Sequence, residues 1–189
     1  TSFNFPLAVA HWTIAPALLA ANAVVWKPSE KTPMVALAIK EIFDEIAGEY
    51  ADLLQIIIGG RELGSRLVAH EQIDMISATG SVAMGQGIKA TLAQKTNNKI
   101  PPILELGGNN GVIISDKITD EHLRWSVSAI MNSFLATSGQ RCTNSRRLII
   151  QKNIYEKTLT LLEQNIKNFI ASGAIISPVS NPSNEYGYA

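Results

Sequence analysis

Cys142 is the lone cysteine of a 189-residue chain, and its surroundings suit nucleophilic chemistry. It lies in SGQRCT, just after a glycine turn, with Arg141, Arg146 and Arg147 close in sequence. Nearby cations favour the thiolate, which is the attacking form of a cysteine. A lone cysteine also serves as a small buried hydrophobe, and the residues alone leave both roles open. Glu105 lies between leucines in ILELGG. A carboxylate at an apolar strand end is desolvated, which raises its pKa and suits a general base near neutrality, unless its head reaches solvent instead. The stretch GSVAMG at 80–85 follows a strand pattern and precedes a helical one. It could present backbone N–H groups to a phosphate. It matches neither G-x-G-x-x-G nor the GK[ST] of a P-loop, so a plain glycine turn fits as well. Lys27 and Glu30 come just after the apolar run AVVW, where open α/β sheets bind ligands, though they could equally be a surface pair.

The elements needed to position these groups are legible in the hydrophobic pattern. Apolar spacing predicts a helix over 7–21, a strand over 23–26 and a helix over 34–47 that starts near Pro33, where a first-turn proline is tolerated. A continuous apolar strand follows over 53–58, stopped by Gly59 and Gly60, and then a helix over 61–70. The pattern continues with a strand over 73–77, a glycine turn at ATGS, a helix running to Lys95, and strands over 103–106 and 111–115. Beyond Asp120 it gives a helix over 121–137, a turn at SGQRC, a strand over 147–151 and a helix over 154–169. Strands that are apolar throughout and alternate with helices predict an α/β fold, a parallel sheet covered by helices on both faces. No internal repeat is visible. The stretch from 172 is rich in Ser, Pro, Asn and Gly and reads as loop or frayed tail.

Composition narrows the function classes. Charged residues are 17%, against roughly 25% in an average soluble domain, which suggests a core segment of something larger. Zero formal net charge gives no electrostatic footprint for nucleic acid or an anionic membrane. One cysteine excludes an internal disulfide framework and fits a reducing, cytoplasmic compartment. The chain opens on Thr1 with no charged leader, so no signal peptide is expected. The apolar run from Phe5 to Trp26 is long enough to span a bilayer, at about 20 residues. His11, Pro16 and Asn22 within it favour a buried helix running into a buried strand. No metal site is expected.

Taken together, FNFP at 3–6, VVWKPSEKTP at 24–33, ATGSVAMG at 78–85, LELGGNN at 104–110 and GQRCT at 139–143 resemble the aldehyde dehydrogenase superfamily in order and spacing. The variants GGNN, GQRC and VVWKPSEKTP look most like the antiquitin branch, the α-aminoadipic semialdehyde (piperidine-6-carboxylate) dehydrogenases of lysine catabolism. Succinylglutamic semialdehyde dehydrogenases are similar in GGNN and GQRCT, and less so in the first two motifs.

The resemblance implies a Rossmann-type nucleotide domain followed by the start of a catalytic domain. On this reading residues 1–107 are the C-terminal part of the NAD-binding domain, 108–171 the first part of the catalytic domain, and 172–189 an atypical tail. It implies Cys142 as the nucleophile that forms a thiohemiacetal and then a thioester. Asn4 would be the oxyanion donor beside the Cys142 backbone N–H, and Glu105 the base that activates the hydrolytic water. Lys27 and Glu30 would meet the adenosine ribose, where a carboxylate favours NAD over NADP, and Ser29 is counted among the cofactor residues. Gly80 and Ser81 would lie under the pyrophosphate, with Leu106 and Gly107 counted among the cofactor residues. Phe3 would flank the substrate, and Arg141 would anchor a substrate carboxylate. The expected partners are a small aldehyde and, for the full-length protein, further copies of itself.

Members of the family are much longer. The resemblance therefore implies an internal fragment, lacking a later glutamate that positions the nicotinamide ribose and an oligomerisation hairpin. Turnover by the 189-residue chain alone is not expected, and a second reading is a non-catalytic remnant of such an enzyme.

Overall fold

The computed structural model describes residues 1–96 and 100–173. The chain divides into two compact units, Thr1–Leu106 and the part from Gly107 onward. Among the described residues every strand pairing is parallel, which makes this an α/β fold.

In the first unit, helices α1 (Ala8–Leu19) and α2 (Pro33–Ala47) accompany strands β1 (Val24–Trp26) and β2 (Leu54–Ile56). Pro33 opens α2 at its first position, where a missing N–H costs nothing because no intrahelical acceptor exists for it. β1 and β2 pair from Val24↔Leu54 to Trp26↔Ile56. Ala10, Ile14, Trp26, Ala36 and Leu54 form the buried core between these elements. Next come α3 (Arg61–Ala69), β3 (Ser77–Gly80), α4 (Val82–Leu92) and β4 (Ile103–Leu106), around Val68, Ile76, Ile88 and Leu92.

Two expectations are corrected here. The apolar run 53–58 contributes only Leu54–Ile56 to a strand, because its partner β1 is three residues long; one further bond, Ile57 N to Trp26 O at 3.0 Å, ends the ladder. The strand expected over 73–77 is Ser77–Gly80 instead, so ATG is ladder and not turn. Pairing of Ser77–Gly80 with Ile103–Leu106 holds those residues extended, overriding the turn preference of Gly80.

The second unit runs β5 (Asn110–Ile114), α5 (Asp120–Leu135), β6 (Ser145–Ile150) and α6 (Tyr155–Ala171). Thr119 caps α5, its hydroxyl accepting from His122 N at 3.2 Å, and Asp120 and Glu121 in the first turn complement the helix dipole. Ile114, Leu123, Val127, Ile130, Met131 and Leu162 form the core. Leu123 is 1% exposed, so Leu123→Ala should cost about 2–5 kcal/mol through lost burial and the cavity left behind. A urea midpoint in the full-length protein that does not move would refute this packing. The tail expected from 172 is described only as far as Gly173, and its remainder lies outside the described residues. Among the described residues no helix is long and apolar enough to cross a membrane.

Candidate active site

Parallel pairing sends the carboxyl ends of paired strands in the same direction, and in the first unit, whose strands form two two-stranded sheets, each candidate residue lies at or just past such an end. β1 ends at Trp26 and delivers Lys27; β3 ends at Gly80 and delivers Ser81; β4 carries Glu105 as its penultimate residue, before Leu106. This is where an open α/β sheet holds ligands. The methylenes Cδ and Cε of Lys27 lie over Gly64 of α3, about 3.5 Å from where a β-carbon there would be. Its Nζ donates to Pro28 O at 3.1 Å and stands 3.8 Å from Glu30 Oε2. Ser29 Oγ accepts from Lys31 N at 3.3 Å, tightening the same loop.

At α4 the Ser81 hydroxyl accepts from Met84 N at 3.1 Å, a side-chain N-cap. By helix geometry the N–H groups of Val82 and Ala83 lie at this end with no intrahelical acceptor, and the helix dipole favours an anion there. A β-carbon on Gly80, the last residue of β3, would fall 2.9 Å from Met84 Cε, so the Met84 side chain packs over the end of the strand. A β-carbon on Gly85 would fall 2.6 Å from Leu106 Cδ1, so α4 docks on β4 through a bare backbone.

Glu105 is exposed, so of the two readings left open by its leucine neighbours the head that reaches solvent is the one present. The reason is local: along β4 Ile103 and Glu105 share one face, and both are exposed, while Leu104 and Leu106 on the other face are partly covered. Asn4 accepts a hydrogen bond on Oδ1 from Ser2 Oγ at 2.8 Å, which fixes the amide through its oxygen. Phe3, expected to flank substrate, is buried at 7% exposure with the Lys31 ammonium 5.2 Å from its ring centroid.

Cys142 belongs to the second unit and is half-buried. The loop before it is sharply wound: Thr137, Ser138 and Gly139 have φ of 58°, 53° and 72°. Left-handed conformations cost non-glycine residues energy and persist only where surroundings hold them. Here Arg146 Nη2 donates to Gly139 O at 2.8 Å and to Arg141 O at 3.1 Å, and Arg141 Nε donates to Thr137 Oγ1 at 2.9 Å. Burial lowers the Arg146 pKa from its ordinary value. Arg147 donates to Asn109 O at 2.8 Å. The arginines expected as cations beside the thiol thus spend these bonds on loop backbone and on a neighbouring hydroxyl.

The frame around Cys142 involves residues that sequence reasoning did not single out. Asn110 Nδ2 donates to Cys142 O at 2.7 Å and to Asn144 O at 3.0 Å. Asn144 is 1% exposed and its amide donates to Ser133 O. Ser133 Oγ accepts from Ser145 N at 2.8 Å. The available signal was weak: an asparagine opening a strand two residues after Gly108. Among the described residues no cluster of His, Cys, Asp and Glu could hold a metal.

The chain is similar to known proteins over most of its length. The sequence profile described as "Aldehyde dehydrogenase family" matches residues 1–183. An N-succinylglutamate 5-semialdehyde dehydrogenase of Caulobacter vibrioides is 39% identical over 177 residues, covering 93% of this chain and 36% of the relative. An aldehyde dehydrogenase family 7 member A1 of Malus domestica is 32% identical over 187 residues, covering 95% and 36%. Among solved structures, 3,6-anhydro-L-galactose dehydrogenase in complex with NAP matches with a TM-score of 0.79 at 35% identity, covering 88% of this chain and 34% of that one. Indole-3-acetaldehyde dehydrogenase complexed with NAD+ gives 0.81 at 29% identity, covering 88% and 33%. The chain spans about a third of the length of the curated relatives it matches. With the profile running through nearly all of its residues, and with α/β geometry shared with solved members, the chain belongs to the aldehyde dehydrogenase family.

Proposed function

We propose that the full-length protein oxidises an aldehyde to a carboxylic acid, with Cys142 as nucleophile and Glu105 as the base for hydrolysis. The observation that supports this most is the Cys142 loop: a half-buried thiol within GQRCT, on backbone held at the carbonyls of Cys142 and Asn144. A nicotinamide dinucleotide supplies the hydride acceptor when bound. The capped N-terminus of α4 suits its pyrophosphate, and Lys27, Ser29 and Glu30 suit its adenosine ribose.

The Cys142 thiolate adds to the aldehyde carbon, forming the C–S bond while the carbonyl π pair moves to oxygen. Asn4 and the Cys142 backbone N–H are the donors we assign to that oxyanion; such donors are worth about 10²–10³ in rate. Loss of hydride from the adduct leaves a thioester on Cys142. Glu105 takes a proton from water, the water oxygen bonds to the acyl carbon, and the C–S bond breaks to release carboxylate and thiolate. Exposure of Glu105 at the end of β4 suits a group that must meet water.

For substrate we favour a semialdehyde with a distal carboxylate, such as α-aminoadipic or succinylglutamic semialdehyde, with Arg141 as its anchor. Arg141 is held by Thr137 Oγ1 on the loop that carries the nucleophile. For cofactor we favour NAD, because the Glu30 carboxylate disfavours a 2′-phosphate. A homo-oligomer in the reducing cytoplasm completes the reading. The full-length protein should show aldehyde-dependent NADH formation with kcat/KM about tenfold or more higher for these semialdehydes than for betaine aldehyde. Preference for betaine aldehyde, or for NADP, would refute the corresponding assignment, and no reduction with any aldehyde would refute the activity.

A further inference from the structure

We infer that Asn110 is a positioning residue for the nucleophile: its side-chain amide sets the backbone that aims Cys142. The inference rests on the proposed role of Cys142 and adds a residue that this role does not itself require. The bonds at 2.7 Å to Cys142 O and 3.0 Å to Asn144 O come from one nitrogen, so one group fixes two carbonyls of the same loop. A fixed Cys142 carbonyl fixes the peptide plane on the C-terminal side of that residue, and with it the direction in which the Cα–Cβ bond leaves the loop.

Three further observations place Asn110 where it can do this. First, the β5–β6 register pairs Asn110 with Ser145 and then Gly111 with Arg147, skipping one residue of β6. Such an irregularity re-aims side chains, and here the amide reaches back along the loop from the mouth of the strand pair. Second, a β-carbon on Gly108 would stand 3.3 Å from Cys142 O and 3.3 Å from Asn110 Oδ1, so the chain entering β5 is drawn against the same carbonyl. Third, the other carbonyl held by Asn110 belongs to Asn144, which is itself tied to Ser133 of α5. The nucleophile loop is therefore braced from β5 on one side and α5 on the other, and Asn110 is the brace that touches the nucleophile's own peptide.

Asparagine suits the task because its NH2 donates two hydrogens and carries no charge. Asn110→Asp keeps the size but turns an acceptor-only carboxylate towards two carbonyl oxygens; Asn110→Ala leaves room in which water can substitute for the donor. In the full-length protein, at a temperature well below each variant's melting midpoint, kcat should fall on the order of 10²-fold for Asp and less for Ala, since misplacement by about an ångström costs that much. The Kd for NAD should stay within about twofold, because cofactor affinity is carried by other residues. Alkylation of Cys142 by iodoacetamide, followed by mass spectrometry on the peptide that carries it, should change rate by about fivefold or more in the Asp variant, because thiol reactivity follows local environment.

A purely structural Asn110 predicts lowered melting midpoints with kcat and alkylation within about threefold of the parent, and that result would overturn the inference. Should Asn110→Asp not fold, the Ala variant decides by the same two readouts. Alkylation needs no turnover. A parent that oxidises no aldehyde would count against the proposed function, while the alkylation rates still judge Asn110.

Discussion

Cys142→Ala in the full-length protein should reduce aldehyde oxidation roughly a thousandfold or more while leaving the Kd for NAD nearly unchanged. The size of the loss follows from the chemistry: without the sulfur there is no covalent adduct from which hydride can leave, and no neighbouring group takes its place. The unchanged Kd is expected because Cys142 is none of the residues proposed to hold the cofactor. Cys142 sits in the helix-to-strand loop between α5 and β6, whereas the residues proposed to hold the cofactor sit after β1 and at the start of α4. Cys142 is half-buried and lies outside the core formed around Leu123 and Val127, so the melting midpoint should shift little. Residual turnover above about one per cent of the parent would remove Cys142 from the nucleophile's role.

Glu105→Gln should separate the two halves of the reaction. Gln keeps the shape of the side chain but cannot take a proton from water. The first turnover should still produce about one NADH per site, after which the enzyme should stall as the thioester, with the steady rate lowered about 10²–10⁴-fold. Rapid mixing with NAD and aldehyde, read by nicotinamide absorbance, shows the burst directly. Absence of the burst together with loss of the first hydride transfer would mean that Glu105 activates Cys142 or serves only structure.

How much of this could be read from the sequence depended on whether the signal was local. The alternation of helices with largely apolar strands was enough for the α/β fold, although β3 is Ser77–Gly80 and one face of β4 is exposed. Strand limits were less legible where a partner decided them. Ile58 lies beyond β2 because β1 offers only Val24–Trp26, and Gly80 lies inside β3 because Leu106 pairs with it. The motif residues Cys142, Glu105 and Asn4 were legible through family resemblance, yet the exposure of Glu105 was not, since it depends on what covers one face of β4. The brace around Cys142 was invisible for a different reason. Asn110 is 32 and 34 residues from the carbonyls it holds, and contacts of that kind leave no periodicity in the chain.

The bare contact between α4 and β4 has a consequence for interpreting sequence variants. With Gly85 set against the Leu106 side chain, the helix that follows Ser81 packs closely on the strand that carries Glu105. A β-carbon at Gly85 would stand 2.6 Å from Leu106 Cδ1, so Leu106 must turn aside or the helix must shift, and either is felt beside Glu105 and near Ser81. An inherited or engineered change there would resemble a weakened-cofactor variant in a binding screen and a slow-hydrolysis variant in a turnover screen. Its true origin would be a displaced helix–strand contact one turn along from the capped start of α4.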